Sequence, residues 1–150
     1  MRLRFVMIVA ALAVWTIAAW YVPLRAQEPA AKTTPSVADG VYSEEQAKRG
    51  EAIYGAECSS CHGMAMEGAD MAPPLTGGAF MGNWNGLTVG DLFERIRISM
   101  PDGNPGKLTR EQDADVVAYI LKVSKYPTGK AELSHETEVL KQIKIVAPKP

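Results

Sequence analysis

Cys58-Ser59-Ser60-Cys61-His62 is the stretch of this 150-residue chain whose residue types and spacing carry chemistry most directly. Cys58 and Cys61 are its only cysteines, and His135 is its only other histidine. C-x-x-C-H is the attachment sequence of c-type haem: each thiol forms a thioether to one vinyl group, and the adjacent histidine stands under the iron. A structural disulfide, a thioredoxin-like dithiol and half of a zinc site compete for the same residues. A zinc site needs four nitrogen or sulfur ligands, and the fourth candidate, His135, lies 73 residues beyond His62. A redox dithiol needs a βαβ setting, and no convincing strand run flanks the motif.

His62 should bind iron through Nε2, with its Nδ1–H held by a carbonyl that fixes the tautomer and makes the ligand more basic. A thioether on the opposite face favours the ferrous state and raises the reduction potential. Met64, Met66, Met71, Met81 and Met100 are the candidates beyond the leader, although a methionine by default fills core gaps. Met64 and Met66 stand too close to His62 to cross to the other face. Met71 and Met81 have the reach without supporting context. Met100 follows a predicted helix and precedes Pro101 in a stiff turn, so it is the favoured distal ligand, with Met71 and Met81 as alternatives. Trp84 offers an apolar ring and one N–H that could reach a haem propionate, and equally reads as a core tryptophan. Arg95 and Arg97 could pair with a propionate, but arginines on a helix are more often simply solvated. Tyr54 and Leu75 read as pocket wall, and His135 as a surface residue of the tail. No G-x-S-x-G, histidine pair or phosphate loop accompanies them.

Three helices must position these groups. Each begins with a hydroxyl residue followed three positions later by an acid or amide: Ser43 with Gln46, Thr88 with Asp91, Thr109 with Gln112. The first, 44–57, carries Ala47, Gly50 and Tyr54 on one face and delivers the Cys58 turn at its end. The second, 89–99, turns Leu92, Phe93 and Ile96 inward and allows Ile98 there as well, and Pro101 and Gly103 stop it. The third, 110–124, has Val116, Val117, Ile120, Leu121 and Val123 as its stripe, ended by Pro127 and Gly129. The expected architecture is all-α. The Gly-, Met- and Pro-rich segment 63–86 reads as a loop long enough to wrap a large apolar ligand.

Residues 1–26 carry a basic start, Arg2 and Arg4, then an uncharged apolar stretch from Phe5 to Val22, and a small-residue site before Gln27. They read as an export signal, or as an uncleaved anchor, since the stretch approaches the ~20 residues that span a bilayer. Beyond them remain 13 basic and 17 acidic side chains, formally −4, which argues against nucleic acid as a partner. The expected organisation is a signal at 1–26, a flexible leader at 27–40, one domain at 41–127 and a tail at 128–150. The tail has alternating charges and a short helical candidate at 134–142. It either wraps the domain or docks a partner.

Residues 42–127 together resemble the class I cytochromes c, the mitochondrial-cytochrome-like family. Gly50-x-x-x-Tyr54 is similar to that family's first-helix contact, where a glycine lets the C-terminal helix cross closely and an aromatic, here Tyr119, packs on it. Pro73-Pro74-Leu75 resembles the segment whose proline carbonyl accepts the proximal histidine's Nδ1 hydrogen, with Pro74 the first choice and Pro73 the second. Met100-Pro101 resembles the distal ligand, and Trp84 the tryptophan that reaches a propionate. The stretch from Trp84 through Met100 to Leu108 is similar to the small haem c subunits and domains that accompany quinoprotein (pyrroloquinoline quinone) dehydrogenases. The His62-to-Met100 separation of 38 residues fits a compact bacterial form.

The resemblance implies a cytochrome c fold of three main helices around one covalent haem c. It also implies a periplasmic one-electron carrier that is not itself an enzyme, with a dehydrogenase as donor and a respiratory-chain acceptor. A membrane contact would need the N-terminal segment to be retained. Two other classes stay open: a haem protein with an open distal site, peroxidase-like or gas-binding, and a haemless dithiol protein.

Overall fold

The computed structural model describes residues 34–70 and 72–148. The signal or anchor at 1–26, the first half of the leader and Met71 lie outside the described residues. A 3-10 turn at Val37–Asp39 is followed by α1 (Glu44–Glu57), α2 (Ser59–His62), α3 (Gly77–Trp84), α4 (Val89–Ser99), α5 (Arg110–Val123) and α6 (Thr137–Leu140). Among the described residues there is no strand, only isolated bridges such as Ser36 to Lys144 and Thr88 to Lys144.

The three hydroxyl starts are where the long helices begin. Ser43 Oγ accepts from the Gln46 N–H at 3.1 Å. Thr88 with Asp91, and Thr109 with Gln112, close full capping boxes. Each box satisfies amides that the first helical turn leaves without partners.

The framework is the crossing of α1 and α5. A Cβ placed on Gly50 would stand 1.8 Å from the backbone oxygen of Asp115, so only glycine admits this approach. Glycine inside a helix costs about 1 kcal/mol relative to alanine, and the close approach it allows offsets that. Tyr54 and Tyr119 pack one turn further on, ring centroids 5.5 Å apart and tilted by 56°. Arg49 then ties three segments together: it donates to both Asp115 carboxylate oxygens at 2.9 Å and to Glu132 at 2.9 and 3.0 Å. The core gathers Leu92, Phe93 and Ile96 of α4 against Val116, Val117, Ile120 and Leu121 of α5. Ile98, which helical periodicity allowed inward, is 60% exposed.

Two segments differ from expectation. The second half of the presumed leader is packed: Val37 is fully buried, and Ser36 and Asp39 cap the 3-10 turn reciprocally. Composition misleads here because one buried valine and a capping pair suffice to order so short a turn. Segment 63–86 is not structureless either, since α3 occupies its second half. Three glycines hide that helix from propensity, and the burial of Phe80, whose ring lies 6.1 Å from that of Trp84, holds it.

The tail wraps the domain. Gly129 N–H donates to the Tyr42 carbonyl at 2.7 Å, and the Gln46 amide pairs with the Leu133 backbone in both directions at 3.0 and 2.6 Å. Residues 143–145 then lie between two segments. On one side Val37 N–H donates to the Lys144 carbonyl at 2.9 Å and Lys144 N–H to that of Pro35 at 2.8 Å. On the other, Val89 N–H donates to the Ile143 carbonyl and Ile145 N–H to that of Leu87, both at 2.9 Å. Leu133, Leu140 and Ile145 are buried in the same core as the helices.

Candidate functional site

The site begins where α1 ends. Cys58 caps α1, its N–H donating to the Tyr54 carbonyl at 2.9 Å, and its own carbonyl accepts from Cys61 and His62 at 3.2 and 3.0 Å. The single turn of α2 therefore carries Cys58, Cys61 and His62 together. Tyr54 anchors the turn from beneath, its hydroxyl donating to the Gly63 carbonyl at 2.6 Å.

Both cysteines are free thiols; Cys58 is half-buried and Cys61 exposed. Burial first, and then the charges of Glu57 and Asp113 and the neighbouring Cys61, push the Cys58 thiol up to about 11. A thiol so far from ionising is a poor nucleophile at neutral pH. No group of three or more His, Cys, Asp or Glu side chains among the described residues gathers as a metal site.

His62 is buried, and its Nδ1 lies 2.8 Å from the backbone oxygen of Pro73. A carbonyl can only accept, so Nδ1 carries the hydrogen and the lone pair stands on Nε2, the nitrogen left to bind a metal. The partner is Pro73 and not Pro74, the first choice from sequence. Register decides between them. Gly68 N–H donates to the His62 carbonyl at 2.8 Å, Ala69 and Ala72 bond each other's backbone at 3.0 and 2.7 Å, and Leu75 N–H donates to the Met66 carbonyl at 3.0 Å. That folded loop returns the chain one residue earlier than the motif suggests.

The methionines separate by environment. Met64 is 74% exposed and Met66 is fully buried in the core. The Met81 sulfur lies 3.5 Å from the Tyr126 hydroxyl, which donates to the Val146 carbonyl at 2.5 Å. Met100 caps α4 in extended conformation, its N–H donating to the Ile96 carbonyl at 2.8 Å, and lies half-buried against the core. Cys58, Leu75 and Trp84 lie against the same core, each half-buried.

Arg97 donates to Glu94 at 2.9 and 2.6 Å, which commits it to its own helix, and Arg95 is exposed. His135 is a tail residue, 3.6 Å from Glu111 and 3.4 Å from Glu136. A separate cleft of about 470 Å³, lined by residues including Gly77, Met81, Ser124 and Tyr126, contains none of Cys58, Cys61, His62 or Met100.

Asp113 is the residue that sequence reasoning missed. It is 1% exposed, and neither of its carboxylate oxygens has a hydrogen-bond partner among the described residues. In sequence it passes for an ordinary first-turn acid. Its one warning is its place next to Ala114 and three residues before Val116, on the apolar side of α5.

The donor set fits haem c: two thiols one helical turn apart, an imidazole with Nδ1 held and Nε2 open, and half-buried apolar side chains that a flat macrocycle could cover. Fold and site together define a c-type cytochrome domain. The chain matches the family described as cytochrome c oxidase, cbb3-type, subunit III over residues 45–120, half of its length, and it belongs to that family. No curated protein matches it. Among solved structures it is similar in fold to a chain of the sulfane dehydrogenase SoxCD from Paracoccus pantotrophus, with a TM-score of 0.50 and 24% identity. The match covers 76% of this chain and 61% of that one. That likeness speaks for the fold alone.

Proposed function

We propose that this chain is an exported monohaem one-electron carrier, with Cys58 and Cys61 as thioether anchors, His62 as proximal ligand and Met100 as distal ligand. The observation that carries the proposal is the bond from His62 Nδ1–H to the Pro73 carbonyl, on the same turn that presents both thiols. A histidine oriented this way is prepared for a metal on Nε2. The haem supplies a reversible Fe(III)/Fe(II) couple. His62 and Met100 would hold the iron from fixed positions, so that little would rearrange on electron transfer, and Met100, at the end of a capped helix, suits that role. Trp84 lines the pocket in this reading.

One haem per chain follows from the single C-x-x-C-H. Export to the periplasm rests on the basic and apolar N-terminus. A quinoprotein-type dehydrogenase as donor rests on the resemblance of residues 84–108 to the small cytochromes that accompany such enzymes. A haemless dithiol role is disfavoured by the half-buried, un-ionised Cys58. The test is to express the chain with the haem-attachment machinery and denature the product. Haem that stays bound to the polypeptide, in a protein that is reversibly reduced and does not bind CO, supports the carrier. A colourless protein would overturn it, and ready CO binding would replace it with a haem protein whose distal site is open.

A further inference from the structure

Asp113 is a carboxylate that the fold encloses without a hydrogen-bond partner among the described residues. It occupies the first turn of α5, where Thr109 and Gln112 already cap the helix, so the capping function is filled by others. The nearby cations are spent. Arg97 is held by Glu94 of the same helix, α4. Arg110 donates to the His135 carbonyl at 3.1 and 2.7 Å and to Thr137 Oγ1 at 2.7 Å, and lies over the Phe93 ring at 5.0 Å. Around them Glu57 is paired with Lys107, and His135 lies against Glu111 and Glu136.

The cost of an enclosed, unpaired charge falls as it takes up a proton. Burial raises the Asp113 carboxyl to about 6, with Glu94 adding to the rise and Arg97 and Arg110 opposing it. Asp113 is also among the charges that lift the Cys58 thiol. Its field therefore reaches the first haem anchor.

We propose that Asp113 couples the haem potential to proton uptake. The idea rests on the carrier reading above. An ionised Asp113 stabilises the ferric state, which carries one more positive charge than the ferrous. When one electron arrives from a redox partner, the proton affinity of Asp113 rises and a fraction of a proton is taken up from solvent onto its carboxylate; reoxidation returns both the electron and that fraction. The coupling is reciprocal, so the ferrous protein binds that proton more tightly.

The experiment is a spectroscopic redox titration of the holoprotein between about pH 5 and 8, the range in which a carboxyl raised this far titrates, for wild type and Asp113→Asn. The wild-type potential should fall as pH rises through the region around 6, and the variant should stay flat over the same range, near the value the wild type has at low pH. Redox-difference infrared spectra of the wild type should show a protonated-carboxyl C=O band gained on reduction and absent from the variant. A flat wild-type potential, or a slope unchanged in Asp113→Asn, would overturn the assignment and leave the carrier reading intact. A protein without a reversible haem couple would sink both.

Discussion

At the scale of the residue, the site divides into groups recognisable by spacing and groups that only burial reveals. Cys58, Cys61 and His62 were legible because a covalent cofactor needs three anchors in five positions. The choice between Pro73 and Pro74 was not, because adjacent prolines differ only in where backbone bonds of the loop turn their carbonyls. Asp113 was hidden for another reason: an acid in a helix's first turn normally serves the helix dipole in solvent, and nothing local says that this one is enclosed. Its folded carboxyl is raised to about 6 from an ordinary 3.8, so the folded chain binds the proton more tightly than the unfolded one. Stability from this group is full below about pH 4 and is lost as pH rises towards and through 6. Asp113→Asn should therefore unfold at a higher urea midpoint than wild type at pH 7. The difference should be on the order of 1–2 kcal/mol, a discounted share of ~1.4 kcal/mol per pKa unit, and should shrink at pH 4. A variant less stable than wild type at pH 7 would show that the carboxylate has a stabilising partner.

At the scale of the element, hydroxyl caps and a 3.6-residue apolar period placed α1 and α4 with their observed ends, and α5 within one residue. These signals are local, so sequence carries them. α3 depends instead on the burial of Phe80, a tertiary contact that overrides three unfavourable glycines. The α1–α5 crossing was legible only through the family's glycine and aromatic pair, and the structure shows its physical basis at Gly50. Gly50→Ala should destabilise the holoprotein by about 3 kcal/mol or more in denaturant unfolding, since a Cβ 1.8 Å from a backbone oxygen forces two helices apart. Helix propensity alone predicts the opposite sign, a gain of about 1 kcal/mol. A variant as stable as wild type would mean that the helices do not cross so closely.

At the scale of the whole molecule, the tail belongs to the domain. Its charge alternation left its role open, because the residues that matter are three isolated apolar side chains, Leu133, Leu140 and Ile145, and a run of backbone hydrogen bonds with no side-chain signature. At about 2 kcal/mol for each buried side chain, their loss is comparable with the 5–15 kcal/mol that holds a typical domain together. A chain ending at Pro127 should lose cooperative thermal unfolding even with haem attached, and a sharp, unshifted transition would contradict the packing described. What the assembled molecule must do, in this account, is hold iron between His62 and Met100 through every turnover. The most direct test is the absorption spectrum of the ferric and reduced protein beside Met100→Ala. Coordination by His62 and Met100 predicts a low-spin c-type spectrum whose weak iron–sulfur charge-transfer band in the red vanishes in the variant. A high-spin wild type, or a band that survives the substitution, would contradict it.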